Sequence, residues 1–277
     1  MNIPKIPLAG VIGSPIAHSK SPQLHGHWLQ TYGIAGQYIP MDVSREHLPD
    51  VIRALPKMGF VGVNITIPHK EAVMDIADLV TDRAILIGAA NTLIFRKDGK
   101  IHADNTDGYG FLENLKAGAP GWQPRAGPAA VLGAGGAARA VIASLLDAGV
   151  PEIMLSNRTR VRAEKLKSDF GNRLRIFDWV QAGNMMEHAT LLVNTTSLGM
   201  IGKGEMRVPL DGLNPGTVVT DLVYTPLKTQ LLETAEAMDC VTVDGLGMLL
   251  HQAVPGFERW FGQRPEVDRA TRAAALR

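Results

Sequence analysis

The 277 residues favour two domains or one large domain, and 45% hydrophobic with 20% charged residues is an ordinary globular balance. A formal net charge of +1 gives no overall field that would draw the chain to nucleic acid or membrane. The single cysteine, Cys240, excludes an intramolecular disulfide and fits a reducing compartment.

The first apolar run, "IPLAGVIGSPIA", is interrupted by prolines and glycines, whereas a signal peptide needs a continuous apolar core after a basic start. No stretch approaches the roughly 20 apolar residues of a membrane helix. We therefore expect a soluble, cytoplasmic protein whose first buried strand covers 8–13.

Strands and helices alternate through the first hundred residues. A helix is predicted over 21–33, with Ser21 at the N-cap, Pro22 at the first helical position and Gly33 just past the end. Further elements are predicted as a strand over 37–43, a helix over about 45–57, and a hairpin over 91–105 with Asp98-Gly99 as its turn.

The stretch "GVNITIPHKE" (62–71) combines a strand pattern with polar groups at its end. β-Branched and polar residues alternate, which predicts a strand that ends at Thr66 or Ile67, before the proline. Asn64 then lies near the end of the strand and Lys70 just beyond it. By residue type alone, a lysine in such a place is more often a solvated surface group.

The second half reads as further strand–helix units, which predicts a parallel, doubly wound sheet. Its predicted strands are "PAAVLG", "EIMLSNRT", "ATLLVNTTS", "TVVTDLVY" and "VTVDG". A charged helix is predicted over about 160–170, and a last helix over 246–262 with Pro255 as a candidate site for a kink or a break. We expect this last helix to pack on the first domain.

"VLGAGGAA" (131–138) joins a strand to a helix in a G-x-G-x-x-A frame. Such a turn lets the backbone approach a pyrophosphate, which the helix N-terminus then binds. The alternative is a small-residue turn kept for packing. The predicted cofactor contacts here are Gly133, Ala134, Gly135, Gly136 and Ala137.

The next strand ends at "SNRTRVR" (156–162). Where an NAD site carries an acidic residue for the ribose, this chain has Asn157, followed by Arg158, Arg160 and Arg162. Guanidinium groups bind a 2′-phosphate, so we favour NADP over NAD; an exposed basic helix start is the alternative. Thr159 is predicted to cap the helix and to donate to the phosphate.

Several motifs in one order closely resemble the NADP-dependent shikimate dehydrogenase family. They are "HSKSP" (18–22), "NITIPHK" (64–70), "AANT" (89–92), "DNTDG" (104–108), "GAGGA" (133–137), "NRT" (157–159), "NTTSLGM" (194–200) and "DGLGML" (244–249). The resemblance implies reversible reduction of 3-dehydroshikimate to shikimate by NADPH, on the pathway to chorismate and the aromatic amino acids. It implies two α/β domains: 1–106 with helices of 247–277 for the substrate, and a Rossmann-type 107–246 for NADP.

The resemblance also implies the catalytic pair, Lys70 and Asp107. Ketone reduction leaves a developing alkoxide, which needs a proton or a positive charge, and a lysine held by a carboxylate supplies either. Whether Lys70 moves the proton or mainly binds and polarises the substrate stays open. Asp107 could instead be a helix cap, although Asp104 is the better structural candidate.

Other site residues are implied by family position. Those for the substrate are Ser19 and Ser21 on the carboxylate, and Asn64, Thr66, Asn91, Tyr224 and Gln252 on or near the ring. Those for the cofactor are Thr195, Thr196, Ser197, Leu222, Gly245 and Met248. His69 is interpreted as structural or peripheral, and the eight histidines show no metal-ligand spacing, so no metal is expected.

Two other functions remain as alternatives. One is a quinate/shikimate dehydrogenase of broader substrate or cofactor range. The other is a non-catalytic NADP-binding regulator, although such a protein would be expected to lack the pair Lys70 and Asp107. The sequence leaves monomer and homodimer both open.

Overall fold

The structure is a computed structural model that describes residues 6–276. The chain divides into two compact units, one formed by Met1–Thr106 with Leu250–Arg277 and the other by Asp107–Leu249. Among residues 6–276, no helix has both the length and the apolar character needed to span a bilayer.

The strands are β1 (Leu8–Gly13), β2 (Gln37–Asp42), β3 (Gly62–Ile65), β4 (Leu79–Val80), β5 (Thr92–Phe95), β6 (Ile101–Asp104), β7 (Ala129–Leu132), β8 (Ile153–Ser156), β9 (Leu174–Phe177), β10 (Leu191–Asn194), β11 (Val218–Asp221) and β12 (Val241–Val243). The helices are α1 (Ser21–Thr31), α2 (Leu48–Ala54), α3 (Asp82–Ile87), α4 (Asp107–Gly118), α5 (Gly136–Ala148), α6 (Arg160–Phe170), α7 (Gln230–Ala237), α8 (Leu246–Phe261) and α9 (Arg269–Leu276).

The sheet of the first unit has the order β2-β1-β3-β5-β6-β4. β5 runs antiparallel to both of its neighbours, and the other pairs are parallel. The predicted hairpin is confirmed as β5–β6. Gly99 at its turn has a φ of +85°, and Lys100 N donates to Asp98 Oδ1 at 3.1 Å.

The prediction that the strand of 62–71 continues to Thr66 or Ile67 is wrong. β3 ends at Ile65, and all four of its residues are buried, so the alternating pattern does not mark an exposed face. Asn64 is 5% exposed and its polar atoms are hydrogen-bonded, while Ile67 is 70% exposed. Hydrogen bonding replaces solvent at Asn64, which is why a polar residue fits a buried strand.

The prediction that Ser21 is the N-cap of the first helix is also wrong. Ser21 is the first residue of α1 rather than its N-cap; Lys20 occupies the cap position without a side-chain capping bond. Ser19 Oγ instead accepts a hydrogen bond from Ser21 N at 3.3 Å. The last helix is not broken at Pro255, which lies inside the continuous α8.

The C-terminal helices are tied to the first unit by indole groups. Trp260 Nε1 on α8 donates to Leu93 O at 3.0 Å. Trp28 Nε1 on α1 donates to Thr271 Oγ1 on α9 at 3.3 Å. Both indoles are buried, so each N–H has the partner that a buried donor requires.

The sheet of the second unit has the order β12-β11-β10-β7-β8-β9, and every pair in it is parallel. This is the doubly wound, Rossmann-type sheet that the sequence predicts, with the glycine turn between β7 and α5. β7, β8 and β10 are buried along their whole length, as expected for strands covered by helices on both faces.

Candidate active site

A network of buried amides and hydroxyls lies in the first unit. Asn91 Oδ1 accepts from Thr106 N at 2.9 Å and from Thr92 Oγ1 at 2.9 Å. Asn91 Nδ2 donates to Gln252 Oε1 on α8 at 3.2 Å, and Asn64 Nδ2 donates to Thr92 Oγ1 at 3.2 Å. Three predicted ring-binding residues, Asn64, Asn91 and Gln252, are thus brought into one hydrogen-bonded group. Thr92 and Thr106 were not identified from the sequence, since nothing in their local pattern separates them from strand and turn threonines.

The two predicted carboxylate-binding serines meet at the start of α1. Ser19 precedes the helix and Ser21 opens it, and the N-cap residue of α1, Lys20, makes no side-chain capping bond. The positive end of the helix dipole favours an anion there. Both hydroxyls add donors that a carboxylate can accept from.

Lys70 lies in the turn that follows β3, in the first unit. Its carbonyl accepts from Ala90 N at 2.8 Å, and the ring of the preceding His69 contacts Val43 O through Nε2 at 2.7 Å. A carbonyl only accepts, so this contact makes Nε2 the protonated nitrogen of His69. The turn is therefore held at two points, while the Lys70 side chain stays partly exposed. Thr66 is half-buried beside Gly13, where a Cβ on the glycine would lie 2.5 Å from Thr66 Cγ2.

The two aspartates of "DNTDG" have different surroundings. Asp104 is buried, pairs with Arg83, and accepts from Thr81 Oγ1 and Asn105 N, each at 2.8 Å. Burial alone would raise the pKa of Asp104, but the bonds from Arg83 and Thr81 outweigh it and lower the pKa. The prediction that Asp104 is structural is confirmed. Asp107 is half-buried and opens α4 as the first residue of the second unit.

The glycine turn of the second unit requires glycine at its first position. Gly133 has a φ of +107°, its N–H donates to Ser156 O at 2.8 Å, and a Cβ there would lie 2.5 Å from Thr195 Oγ1. Ala138, the last position of the frame, is buried where α5 meets the sheet.

The next two glycines are required by nothing in the chain itself. Gly135 has a φ of −97°, which any residue adopts, and a Cβ at Gly135 or Gly136 would meet no atom within 4 Å. Gly135 occupies the N-cap of α5 without a side-chain cap, so the helix opens toward this space. A pyrophosphate that approaches the backbone closely explains both glycines, and the residues present therefore fit a dinucleotide.

Asn157 joins this turn to the arginine segment. Its Oδ1 accepts from Ala134 N at 3.1 Å, and its Nδ2 donates to Thr159 O at 2.8 Å. Thr159 is the N-cap of α6, but its hydroxyl makes no capping hydrogen bond, so the prediction of a side-chain cap is wrong. The hydroxyl is left for another acceptor.

The arginines of this segment differ in their pairing. Arg160 pairs with Glu164 at 2.9 Å and with Asp178 at 2.5 Å. Arg158 and Arg162 are exposed and have no ion pair within the described part of the chain. These two guanidinium groups are the ones available to a phosphate, beside the end of β8.

The predicted donors after β10 are largely engaged within the protein. Thr195 Oγ1 donates to Leu132 O at 2.7 Å, and Thr196 Oγ1 donates to Asn194 Oδ1 at 2.7 Å. Each hydroxyl has one proton, so neither retains it for a ligand in this conformation. Ser197 is exposed.

Packing within the protein is enough to explain the glycine at position 245, because a Cβ there would lie 2.5 Å from Leu222 O. Met248 and Leu222 pack on the core of the second unit, and Tyr224 is half-exposed. In the range 6–276, no group of three or more His, Cys, Asp or Glu is arranged to hold a metal ion.

Asp221 is a buried carboxylate that was not identified from the sequence, and it accepts hydrogen bonds from several segments of the second unit. Asp221, at the end of β11, accepts from Asn194 Nδ2 at 2.9 Å, Val223 N at 3.0 Å and Thr229 Oγ1 at 2.7 Å. Burial raises its pKa, against the effect of these bonds. Asp221 therefore links the end of β10 to the segment after β11, and its bond with Thr229 links it to the start of α7. The only signal available in the sequence was an aspartate within the otherwise largely apolar predicted strand "TVVTDLVY".

Family models match three parts of the chain. Residues 11–93 match the shikimate dehydrogenase substrate binding domain, 125–209 match shikimate / quinate 5-dehydrogenase, and 245–275 match the shikimate 5'-dehydrogenase C-terminal domain. The chain is also 72% identical, over 98% of both sequences, to a protein of Cereibacter sphaeroides named shikimate dehydrogenase (NADP(+)). The chain belongs to the shikimate dehydrogenase family.

Solved structures of this family have the same fold. Shikimate 5-dehydrogenase from Thermus thermophilus, in complex with NADP(H) and shikimate, matches with a TM-score of 0.85 and 38% identity, over 98% of each chain. A quinate dehydrogenase from Corynebacterium glutamicum, in complex with NAD, matches with a TM-score of 0.89 and 31% identity, over 98% of this chain and 99% of that one. The fold and the family identified from the sequence are thereby confirmed, whereas the fold alone does not separate shikimate from quinate.

Proposed function

We propose that the chain is an NADP-dependent dehydrogenase that interconverts 3-dehydroshikimate and shikimate, on the route to chorismate and the aromatic amino acids. The observation that carries this proposal is the 72% identity, along almost the whole of both chains, to the relative named shikimate dehydrogenase (NADP(+)). At such similarity the substrate and the cofactor are expected to be shared.

The substrate is assigned to the first unit. Shikimate carries a carboxylate and several ring hydroxyls, and this unit offers a matching set of polar groups. Ser19 and Ser21 at the start of α1 are the donors for the carboxylate. Asn64, Thr66, Asn91 and Gln252 serve the ring hydroxyls, supported by the hydrogen bonds that join three of them. Tyr224 of the second unit is assigned to the substrate as well.

Lys70 and Asp107 are assigned to the chemical step. NADPH, when bound, supplies the hydride. The Lys70 ammonium meets the oxygen on which negative charge develops and gives it a proton; in the oxidation direction neutral Lys70 takes that proton back. Asp107 is assigned to the same step as the acceptor of a hydrogen bond from a substrate hydroxyl.

The cofactor is assigned to the second unit. The open backbone at Gly135 and Gly136 receives the pyrophosphate, and Arg158 and Arg162 with the Thr159 hydroxyl bind the 2′-phosphate. Asn157 supports both segments, as its two hydrogen bonds indicate. Ser197, Leu222, Gly245 and Met248 are assigned to the nicotinamide end, with backbone groups of Thr195 and Thr196. A cytoplasmic location and the choice between monomer and homodimer stay predictions.

An absorbance assay of NADPH formation tests the function. The purified protein is given shikimate or quinate, each with NADP or NAD. Rapid turnover restricted to shikimate with NADP is the expected result. Comparable rates with quinate or NAD would move the chain to the broader quinate/shikimate group. Cofactor binding without turnover in any combination would support a non-catalytic regulator instead.

A further inference from the structure

The hydrogen-bonding capacity of Asn64 is almost fully used inside the protein. Its Nδ2 donates to Asn91 O at 3.1 Å and to Thr92 Oγ1 at 3.2 Å, and its Oδ1 accepts from Tyr38 Oη at 2.7 Å. Asn91 O can only accept, so the atom that faces it must be the nitrogen, which fixes the orientation of the amide. An amide has two N–H groups and two lone pairs; both N–H groups are used, and one lone pair of Oδ1 remains.

The hydrogen bonds within the protein limit which hydrogen bonds the Asn64 side chain can form with a ligand. With its N–H groups committed, the side chain can accept a hydrogen bond but cannot donate one. A ligand group that meets Oδ1 must therefore be a donor, such as a ring hydroxyl. A keto oxygen in the same place would face a lone pair and be repelled.

The donor that completes this arrangement is a buried phenol. Tyr38 lies on the edge strand β2, and its hydroxyl reaches across to Asn64 on β3. Burial raises the pKa of Tyr38, whereas a hydrogen bond with the Ser21 side chain acts in the opposite direction, so the phenol keeps its proton and donates it. Its hydroxyl thus contacts Asn64, a residue assigned to the ring of the substrate.

We propose that Tyr38 is a positioning residue for shikimate, which acts through Asn64 by holding its Oδ1 as an acceptor for a ring hydroxyl. The proposal rests on the proposed function, since Asn64 is assigned to the substrate there. The proposal assigns Tyr38 no direct contact with substrate or cofactor. Without the phenol hydroxyl, Asn64 Oδ1 loses the bond that sets its direction, and shikimate binds less tightly while the cofactor is unaffected.

Tyr38→Phe tests the proposal because it keeps the ring and removes only the hydroxyl. The KM and the calorimetric Kd for shikimate are expected to rise roughly tenfold, the loss of about one aligned hydrogen bond, with kcat and the KM for NADP within about twofold of wild type. Tyr32→Phe is the matched control, because Tyr32 Oη accepts from Glu266 N at 3.0 Å, away from the amide network. It should lower thermal stability slightly without changing shikimate binding. A Tyr38→Phe enzyme with wild-type shikimate affinity would overturn the proposal, as would an equal effect of Tyr32→Phe.

A double-mutant cycle separates action through Asn64 from a general packing effect. Asn64→Ala leaves Asn91 O bonded, since Ile65 N also donates to it at 2.8 Å. In the Asn64→Ala background, Tyr38→Phe should change shikimate affinity by less than about twofold. A full tenfold effect in that background would contradict the proposal. If wild type neither turns over nor binds shikimate, the proposed function fails and this inference with it; normal wild-type activity with an unaffected Tyr38→Phe variant defeats this inference alone.

Discussion

His25 stacks face to face on Tyr38, with ring centroids 3.9 Å apart and ring planes 2° apart. The imidazole is fully buried, with Trp28 edge-on at 5.5 Å, and neither of its nitrogens has a partner among the described residues. Burial lowers the pKa of His25 to about 3, so the ring is neutral near pH 7. The His25 ring thus stabilises Tyr38 by stacking alone, without a hydrogen bond.

Replacing His25 with Phe should leave the free energy of unfolding unchanged or raise it by about 1 kcal/mol, because an imidazole N–H and a lone pair no longer go unpaired. The stacking surface for Tyr38 is kept. Urea denaturation measures this, with His25→Ala as the control that opens a cavity and should cost about 3 kcal/mol. A loss above about 2 kcal/mol for His25→Phe would mean that the imidazole nitrogens are hydrogen-bonded in solution.

The same histidine should make stability depend on pH. Its pKa is about 3 in the folded chain against an ordinary value of 6.5, so the unfolded state binds the proton first as the pH falls. Stability is therefore complete above the ordinary value and declines as the pH drops toward the folded value, by up to about 1.4 kcal/mol per pH unit. The difference in unfolding free energy between wild type and His25→Phe should shift by this slope between pH 6 and pH 4. Parallel pH profiles would contradict the assignment.

Asp104 should matter far more to stability than an exposed aspartate with a similar partner. Asp104→Asn removes the charge that Arg83 pairs with and turns an N–H group toward donors, so a loss of about 2 kcal/mol is expected at pH 7. The partner Arg83 is half-exposed, which limits the contribution of the charge itself. Asp98→Asn is the control, since Asp98 pairs with Arg96 at the exposed hairpin turn, and its melting temperature should not change measurably. Equal melting temperatures for both variants would show that burial of Asp104 adds nothing.

The elements that the sequence predicts well are those specified by nearby residues. The glycine turn and the β5–β6 hairpin each depend on residues close together in the chain, and both are present. The parallel sheet was predicted from the alternation of strands and helices, although its strands pair across long separations in the chain. β4 and β9 were not predicted: β4 has only two residues, and β9 has no clear alternation. Pairing with neighbouring strands, rather than local propensity, makes these segments extended.

The candidate site was predictable as a set of residues but not as a set of bonds. Tyr38 and Asn64 are 26 positions apart, and no local sequence pattern predicts that the phenol on β2 bonds to the amide on β3. The same holds for Asp221, whose partner Asn194 comes 27 positions earlier. Whether the hydroxyl of Thr195 serves a ligand or Leu132 O depends on tertiary packing, which residue type does not report.

The choice of NADP should depend on two of the three arginines after β8. Arg158→Ala combined with Arg162→Ala is expected to raise the KM for NADP at least tenfold, because the 2′-phosphate loses two guanidinium partners. The KM for NAD, which has no 2′-phosphate, should stay unchanged. Arg160→Ala is the matched control, since Arg160 is already paired with Glu164 and Asp178. The wild-type preference for NADP should also weaken as salt is added. Equal losses with NADP and NAD would mean that these arginines only shape the loop.

Lys70→Ala should abolish most turnover while the cofactor still binds. Removing a proton donor at the reacting oxygen is expected to lower kcat by about 10²–10⁴-fold. NADP binding, followed by calorimetry, should stay at the wild-type value, because the cofactor is assigned to the second unit and Lys70 lies in the first. Lys57→Ala, which removes an exposed lysine of the same unit, is the control and should be fully active.

The kinetic constants of Lys70→Ala separate the two possible roles of Lys70. A fall in kcat with an unchanged KM for shikimate means an interaction made only in the transition state. A raised KM with kcat retained means substrate binding alone. Near-normal kcat and KM together would remove Lys70 from the site.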